Sequence, residues 1–135
     1  MRRIAHILAA ALALVAISAS TAWACSCLRA PDAESHLAGA SVMFSGYVQS
    51  TKVDRQAGGS AVTRIRVVRT LKGRPLPVRV VRHGTDPAAC GIAFRRGQFV
   101  TVLASASKDG LRLSLCGSTP QFPLADYERA ARLRR

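Results

Sequence analysis

The sequence predicts an all-β domain: five strands closed into a small barrel, a short helix before the first strand, another after the last, and two disulfides. Three observations point there. From Ser41 onward, apolar and polar residues alternate with the period of two that strands impose, in segments broken by Gly, Pro and Asp. The cysteines Cys25, Cys27, Cys90 and Cys116 are even in number and follow a stretch with the parts of an export leader, which reads as a disulfide framework. What remains after that leader suits one compact domain.

The leader reading rests on Arg2 and Arg3, an apolar run from Ile7 to Ile17, and the small polar residues Ser18, Ser20 and Thr21. Ala22 and Ala24 stand three and one residues before Cys25, the small-residue pattern read by signal peptidase. Residues 1–24 are therefore expected to be removed, leaving residues 25–135 as one domain in the periplasm or outside the cell. A membrane span needs about 20 apolar residues, more than this run offers, so no transmembrane anchor is expected in the mature form. Acylation of Cys25 is the alternative processing, but Ala22 and Trp23 replace the aliphatic and small residues that usually precede an acylated cysteine.

Of the 135 residues, 111 remain after cleavage, carrying 18 Lys and Arg against 7 Asp and Glu. Such a surface associates with anions, whether lipid, acidic polysaccharide, nucleic acid or acidic protein. Four cysteines allow three pairings. Bonding Cys25 to Cys27 would close a tiny loop and leave the terminus untethered, whereas bonding each to a distant partner restricts the unfolded chain by about 4 kcal/mol per bridge.

In chain order, Asp32 to Ala38 reads as a short helix, introduced by Pro31 and ended by Gly39, with Ala33, Leu37 and Ala40 inward. Val42 to Gln49 is the first strand, with Val42, Phe44, Gly46 and Val48 on one face, and Gly46 in mid-strand marks a bulge or a sharp coil. The segment from Gln56 to Ser60 is a turn. Ala61 to Leu71 is the second strand, where Thr63, Ile65 and Val67 alternate with Arg64 and Arg66. The turn at Lys72-Gly73-Arg74-Pro75 leads to a third strand, Pro77 to His83. After a long connection, Gly97 to Ser105 is a fourth strand, apolar on both faces through Phe99, Val100, Val102, Leu103 and Ala104. Lys108-Asp109-Gly110 turns the chain into a fifth strand, Leu111 to Cys116. Pro123 to Arg135 is the second helix, with Leu124, Tyr127 and Ala131 inward and Arg129, Arg132, Arg134 and Arg135 near its negative end. Among small barrels, the five-stranded Greek-key type called the OB-fold fits this count best, since a sandwich usually has more strands.

Five segments in order carry a resemblance: Cys25-Ser26-Cys27 at the expected mature terminus, Val42 to Val48, Leu71-Lys72-Gly73, Cys90 to Phe94 with Gly97, and Cys116 to Thr119. Together they resemble the N-terminal, netrin-like (NTR) domain of the tissue inhibitors of metalloproteinases (TIMP family), particularly bacterial relatives. The resemblance implies an OB barrel with Cys25 bonded to Cys90 and Cys27 to Cys116. It also implies that the amine and carbonyl of Cys25 chelate the catalytic zinc of a target metalloprotease while the Ser26 side chain enters a specificity pocket. An α-amine titrates near pH 8 and can be deprotonated to bind zinc, and zinc proteases keep an open coordination position. Animal members carry further cysteines and a second domain, neither of which is expected here, and Leu28-Arg29 stands where they have valine-proline.

The remaining features point away from catalysis. Cys-x-Cys with two isolated cysteines lacks the paired spacing of zinc ribbons and the C-x-x-C of redox enzymes. His36 and His83 read as surface residues, and there is no triad or carboxylate pair, so the chain is not expected to be an enzyme or to hold a cofactor or metal of its own. Single-stranded nucleic acid is disfavoured because Phe44, Tyr47, Phe94, Phe99, Phe122 and Tyr127 fall mostly at expected core positions. The rival to protease inhibition is a monomeric envelope module whose Arg64, Arg66, Arg69, Arg79 and Arg82 bind an anionic polymer.

Overall fold

A computed structural model of the chain describes residues 25–54 and 58–133. The expected leader (residues 1–24), Arg55, Gln56 and Ala57, and Arg134 and Arg135 lie outside the described residues. The described chain is mostly β, with two short helices and two disulfides.

Helix α1 spans Ala33–Ala38. Asp32 caps it by accepting the Ser35 N–H at 2.7 Å, and Gly39 ends it. Carbonyls at its C-terminal end are met from a distant strand: Lys72 Nζ donates to Leu37 O at 2.7 Å and to Ala38 O, and also to Ala40 O just beyond the helix. Ala33, Leu37 and Ala40 are buried, as the pattern predicts.

Strand β1 (Val42–Asp54) and strand β2 (Ser60–Lys72) form a long antiparallel pair. The register shifts between Ser45 and Gly46, where a Cβ would meet Arg66 O at 2.2 Å, so the expected irregularity at Gly46 is a close backbone approach. Strand β3 (Val78–Gly84) continues antiparallel from β2, and strand β4 (Phe99–Ser107) returns to pair with β1. Strand β5 (Gly110–Arg112) is parallel to β3 and antiparallel to β4, so every strand has two neighbours and the sheet closes as a barrel in the order β1-β2-β3-β5-β4.

Two apolar clusters explain the burial pattern. Phe44, Val48, Ile65, Val81, Val102 and Leu113 belong to one formed by the strands and the loop residue Ile92. Met43 and Leu103, pointing the other way from β1 and β4, pack under α1 and the C-terminal helix α2 (Leu124–Leu133) with Leu37, Tyr127 and Ala130. Both faces of β1 and β4 are therefore apolar where helices cover them.

Four expectations are corrected. Strand β5 stops at Arg112, and Cys116 sits in a 3-10 turn, Leu115–Gly117, because the chain leaves the sheet to bring Cys116 to Cys27. In α2 the buried stripe is Tyr127 and Ala130, while Leu124 is partly exposed in the first turn. Phe99 is 53% exposed, because it precedes the helix-covered part of β4. His83 is buried and His36 half-buried, and neither lies free on the surface.

Candidate functional site

The first described residues run as an extended strap without helix or strand, and two disulfides clamp it. Cys25 is bonded to Cys90 and Cys27 to Cys116, each with Cα atoms about 5.5 Å apart (5.5 and 5.4 Å). This is the pairing implied by the resemblance. In both bridges the distant cysteine is followed by a glycine pressed against backbone. A Cβ at Gly91 would lie 2.3 Å from Thr85 C and 2.4 Å from Asp86 N, and a Cβ at Gly117 would lie 2.0 Å from Leu103 O. The two Cys-Gly pairs thus seat the bridges directly against the domain. Cys90 itself has a left-handed backbone, φ 59°, closing the 3-10 turn Pro87–Ala89.

Beyond the bridges, Gln121 grips the strap from the other side. Its Oε1 accepts the Ala30 N–H at 2.9 Å and its Nε2 donates to Leu28 O at 3.2 Å. The Arg29 guanidinium lies 5.9 Å from the Phe122 ring centre. With its backbone held at both ends, the strap still presents Ser26 to solvent and leaves Leu28 95% exposed. A cleft of about 240 Å³ opens beside Cys25 and Ser26, between Ala89 and Ser114. Gln121 was not legible in the sequence, since nothing near it marks a residue whose partners lie more than 90 positions away (separations of 91 and 93).

A polar chain leads from that grip into the helices. Tyr127 Oη accepts the Gln121 N–H at 3.0 Å and lies 2.5 Å from His36 Nδ1. With the hydroxyl already accepting, its proton serves a neutral His36 Nδ1. Burial lowers the His36 pKa from its ordinary 6.5, because the imidazolium would lose water. On acidification the unfolded chain therefore takes up this proton first, so stability present above pH 6.5 is lost as pH falls through the lower folded-state value. Thermal melts from pH 7.5 to 5 are expected to show a falling Tm, and His36→Gln to flatten the curve. An unchanged slope in that variant would remove His36 as the cause. Asp32, held below its ordinary 3.8 chiefly by the Ser35 N–H, adds a second loss at still lower pH.

The arginines expected to form one basic face divide. Arg64, Arg66 and Arg82 are exposed. Arg69 is engaged, pairing with Glu128 of α2 at 2.5 Å. Arg79 does not belong to that face: it is 7% exposed, its guanidinium lies 5.4 Å from the Phe44 ring centre, and it donates to Arg74 O. Along β3 it has the parity of Val81 and His83, which points it inward. The inward His83 Nε2 lies 2.8 Å from Thr63 Oγ1, and Thr63 meets Thr51 Oγ1 at 2.8 Å. Its Nδ1–H donates to Gly84 O at 2.9 Å, which leaves Nε2 to accept from Thr63. Phe99, expected among the core residues of β4, and Tyr47, on the face of β1 opposite Phe44 and Val48, are cross-strand partners on the outer side, with ring centres 5.1 Å apart and Arg66 over Tyr47 at 5.3 Å.

Fold and site together define a small, disulfide-clamped, mostly β domain that displays a braced extended strap at one end. No protein-family model matches the chain, and no curated protein matches it.

Proposed function

We propose that the protein is a secreted inhibitor of a zinc metalloendopeptidase, similar to the netrin-like domain of the TIMP family, acting through the amine and carbonyl of a mature terminus at Cys25. The observation that carries this reading is the strap: Cys25 and Cys27 are both bonded into the domain while Ser26 and Leu28 between and after them stay exposed. A terminus held in this way loses little freedom on docking, which favours affinity. The strand order β1-β2-β3-β5-β4 with closure supports an OB-type Greek-key barrel. Two disulfides support export, and among the described residues no helix is long and apolar enough to cross a membrane.

In this reading the Cys25 amine, once deprotonated, and its carbonyl close a five-membered chelate on the target's zinc and take the position of its water. Ser26 enters the adjoining pocket, and Cys90 and Cys116 brace the chelating residue. The test is a panel of zinc endopeptidases titrated with protein beginning at Cys25 and with the same protein carrying one extra alanine before Cys25. Inhibition by the first form and at least a hundredfold weaker inhibition by the second is the expected result. Equal potency of the two forms, or none from either, would sink the proposal.

A second reading, binding of an anionic polymer, is favoured by the exposed Arg64, Arg66 and Arg82. It predicts binding that ignores the added alanine and collapses as salt rises, whereas the chelate should tolerate moderate salt.

A further inference from the structure

The short parallel pairing of β3 with β5 places Arg82 directly beside Arg112. Both are exposed, while their neighbours Val81 and Leu111 turn toward the core. Like charges on adjacent strands repel, and among the described residues no carboxylate forms an ion pair with either guanidinium. Asp109 borders the same cleft but engages Arg82 through its backbone: Arg82 Nε donates to Asp109 O at 3.1 Å. That bond fixes one edge of the guanidinium and leaves its other N–H groups for a ligand.

The cleft beside the two arginines has a volume of about 540 Å³ and is also lined by Ser60 and Ser114. Two guanidiniums balance a dianion, and hydroxyls on the rim add donors that suit tetrahedral oxygens better than a planar carboxylate. The volume exceeds what a bare ion fills, leaving room for an organic substituent. We propose that this cleft binds a phosphate group, free or as a monoester, between Arg82 and Arg112. The site needs neither a free amine at Cys25 nor the outer arginines of β2, and of the polymer-binding arginines it uses Arg82 alone. It shares Gly84, Leu113 and Ser114 with the cleft beside Cys25, which places a bound phosphate next to the strap.

The test is a titration of 15N-labelled, disulfide-bonded protein at pH 7.5 and constant ionic strength with inorganic phosphate, glycerol phosphate and acetate. Saturable shifts at the amides of Ser60, Arg82, Arg112 and Ser114 with both phosphates are expected, and at least tenfold weaker binding in the double variant R82Q/R112Q. The control R64Q/R66Q removes equal charge from β2 and is expected to stay within twofold of the parent protein; the spectra themselves report that each variant is folded. Tighter binding of glycerol phosphate identifies a monoester as the occupant, and equal binding identifies the free ion. Unsaturable shifts spread over the basic surface, a stronger response to acetate, or equal weakening by R64Q/R66Q would overturn the proposal.

Discussion

Gly117→Ala is expected to destabilise the protein by about 3 kcal/mol or more, at the upper end of what overpacking does. The added methyl would sit 2.0 Å from Leu103 O and 3.2 Å from Leu113 Cδ1, and the first of these is backbone that cannot turn aside. Leu103 pairs with Met43 of β1 and packs under both helices, and Gly117 follows a cysteine bonded to Cys27, so neither side can yield alone. For a domain of this size the expected loss corresponds to a Tm lower by roughly 10–20 °C. Gly39→Ala is the matched control, because its backbone is already helical at φ −69° and the nearest atom to a Cβ is 3.7 Å away. If chemical denaturation finds Gly117→Ala no less stable than Gly39→Ala, the close approach does not exist in solution.

Removing the Cys27–Cys116 bridge, as C27S/C116S, is expected to lower stability by about 4 kcal/mol through the restored freedom of the unfolded chain. The bridge spans 89 residues and the other spans 65, but the dependence on span is logarithmic, so C25S/C90S is expected to lose nearly as much. The two variants should differ instead in the strap. Without Cys27–Cys116, Leu28 and Ala30 retain only the Gln121 grip, and hydrogen exchange at the Ala30 amide is expected to accelerate toward that of an unprotected loop. Without Cys25–Cys90, that amide should stay protected while the terminus loosens. A loss below 1 kcal/mol in urea unfolding, or unchanged Ala30 exchange in C27S/C116S, would show that the strap is held by something else.

The elements legible in the sequence were those in which local chemistry and tertiary context agree. Asp32 and Gly39 bound α1 as cap residues should, and the alternation of Thr63, Ile65 and Val67 with Arg64 and Arg66 gave the orientation of β2 correctly. The structure departs from the sequence expectation where a residue's place in its strand decides its exposure. Arg79 and Arg82 are three apart in one strand and so cannot share a face, and parity alone would have placed Arg79 with Val81. His83 has no acidic or serine neighbour in the sequence to suggest a buried role, yet it has the same inward parity and finds Thr63 and Gly84 as partners. Phe99 belongs to a strand that is apolar on both faces, but no helix reaches that end of β4 to cover it.

The sequence by itself carried the strand count, the first helix, the cysteine framework and the expected start at Cys25, because periodicity, caps and spacing are local properties of the chain. Only the tertiary structure decided which residues hold the strap and which charges meet. Gln121 reaches Leu28 and Ala30, Lys72 closes the end of α1, and Arg112 comes beside Arg82 only once β5 has paired with β3. The physical reason is that such contacts join residues far apart in the chain, and no local propensity encodes a neighbour that closure of the sheet brings into place.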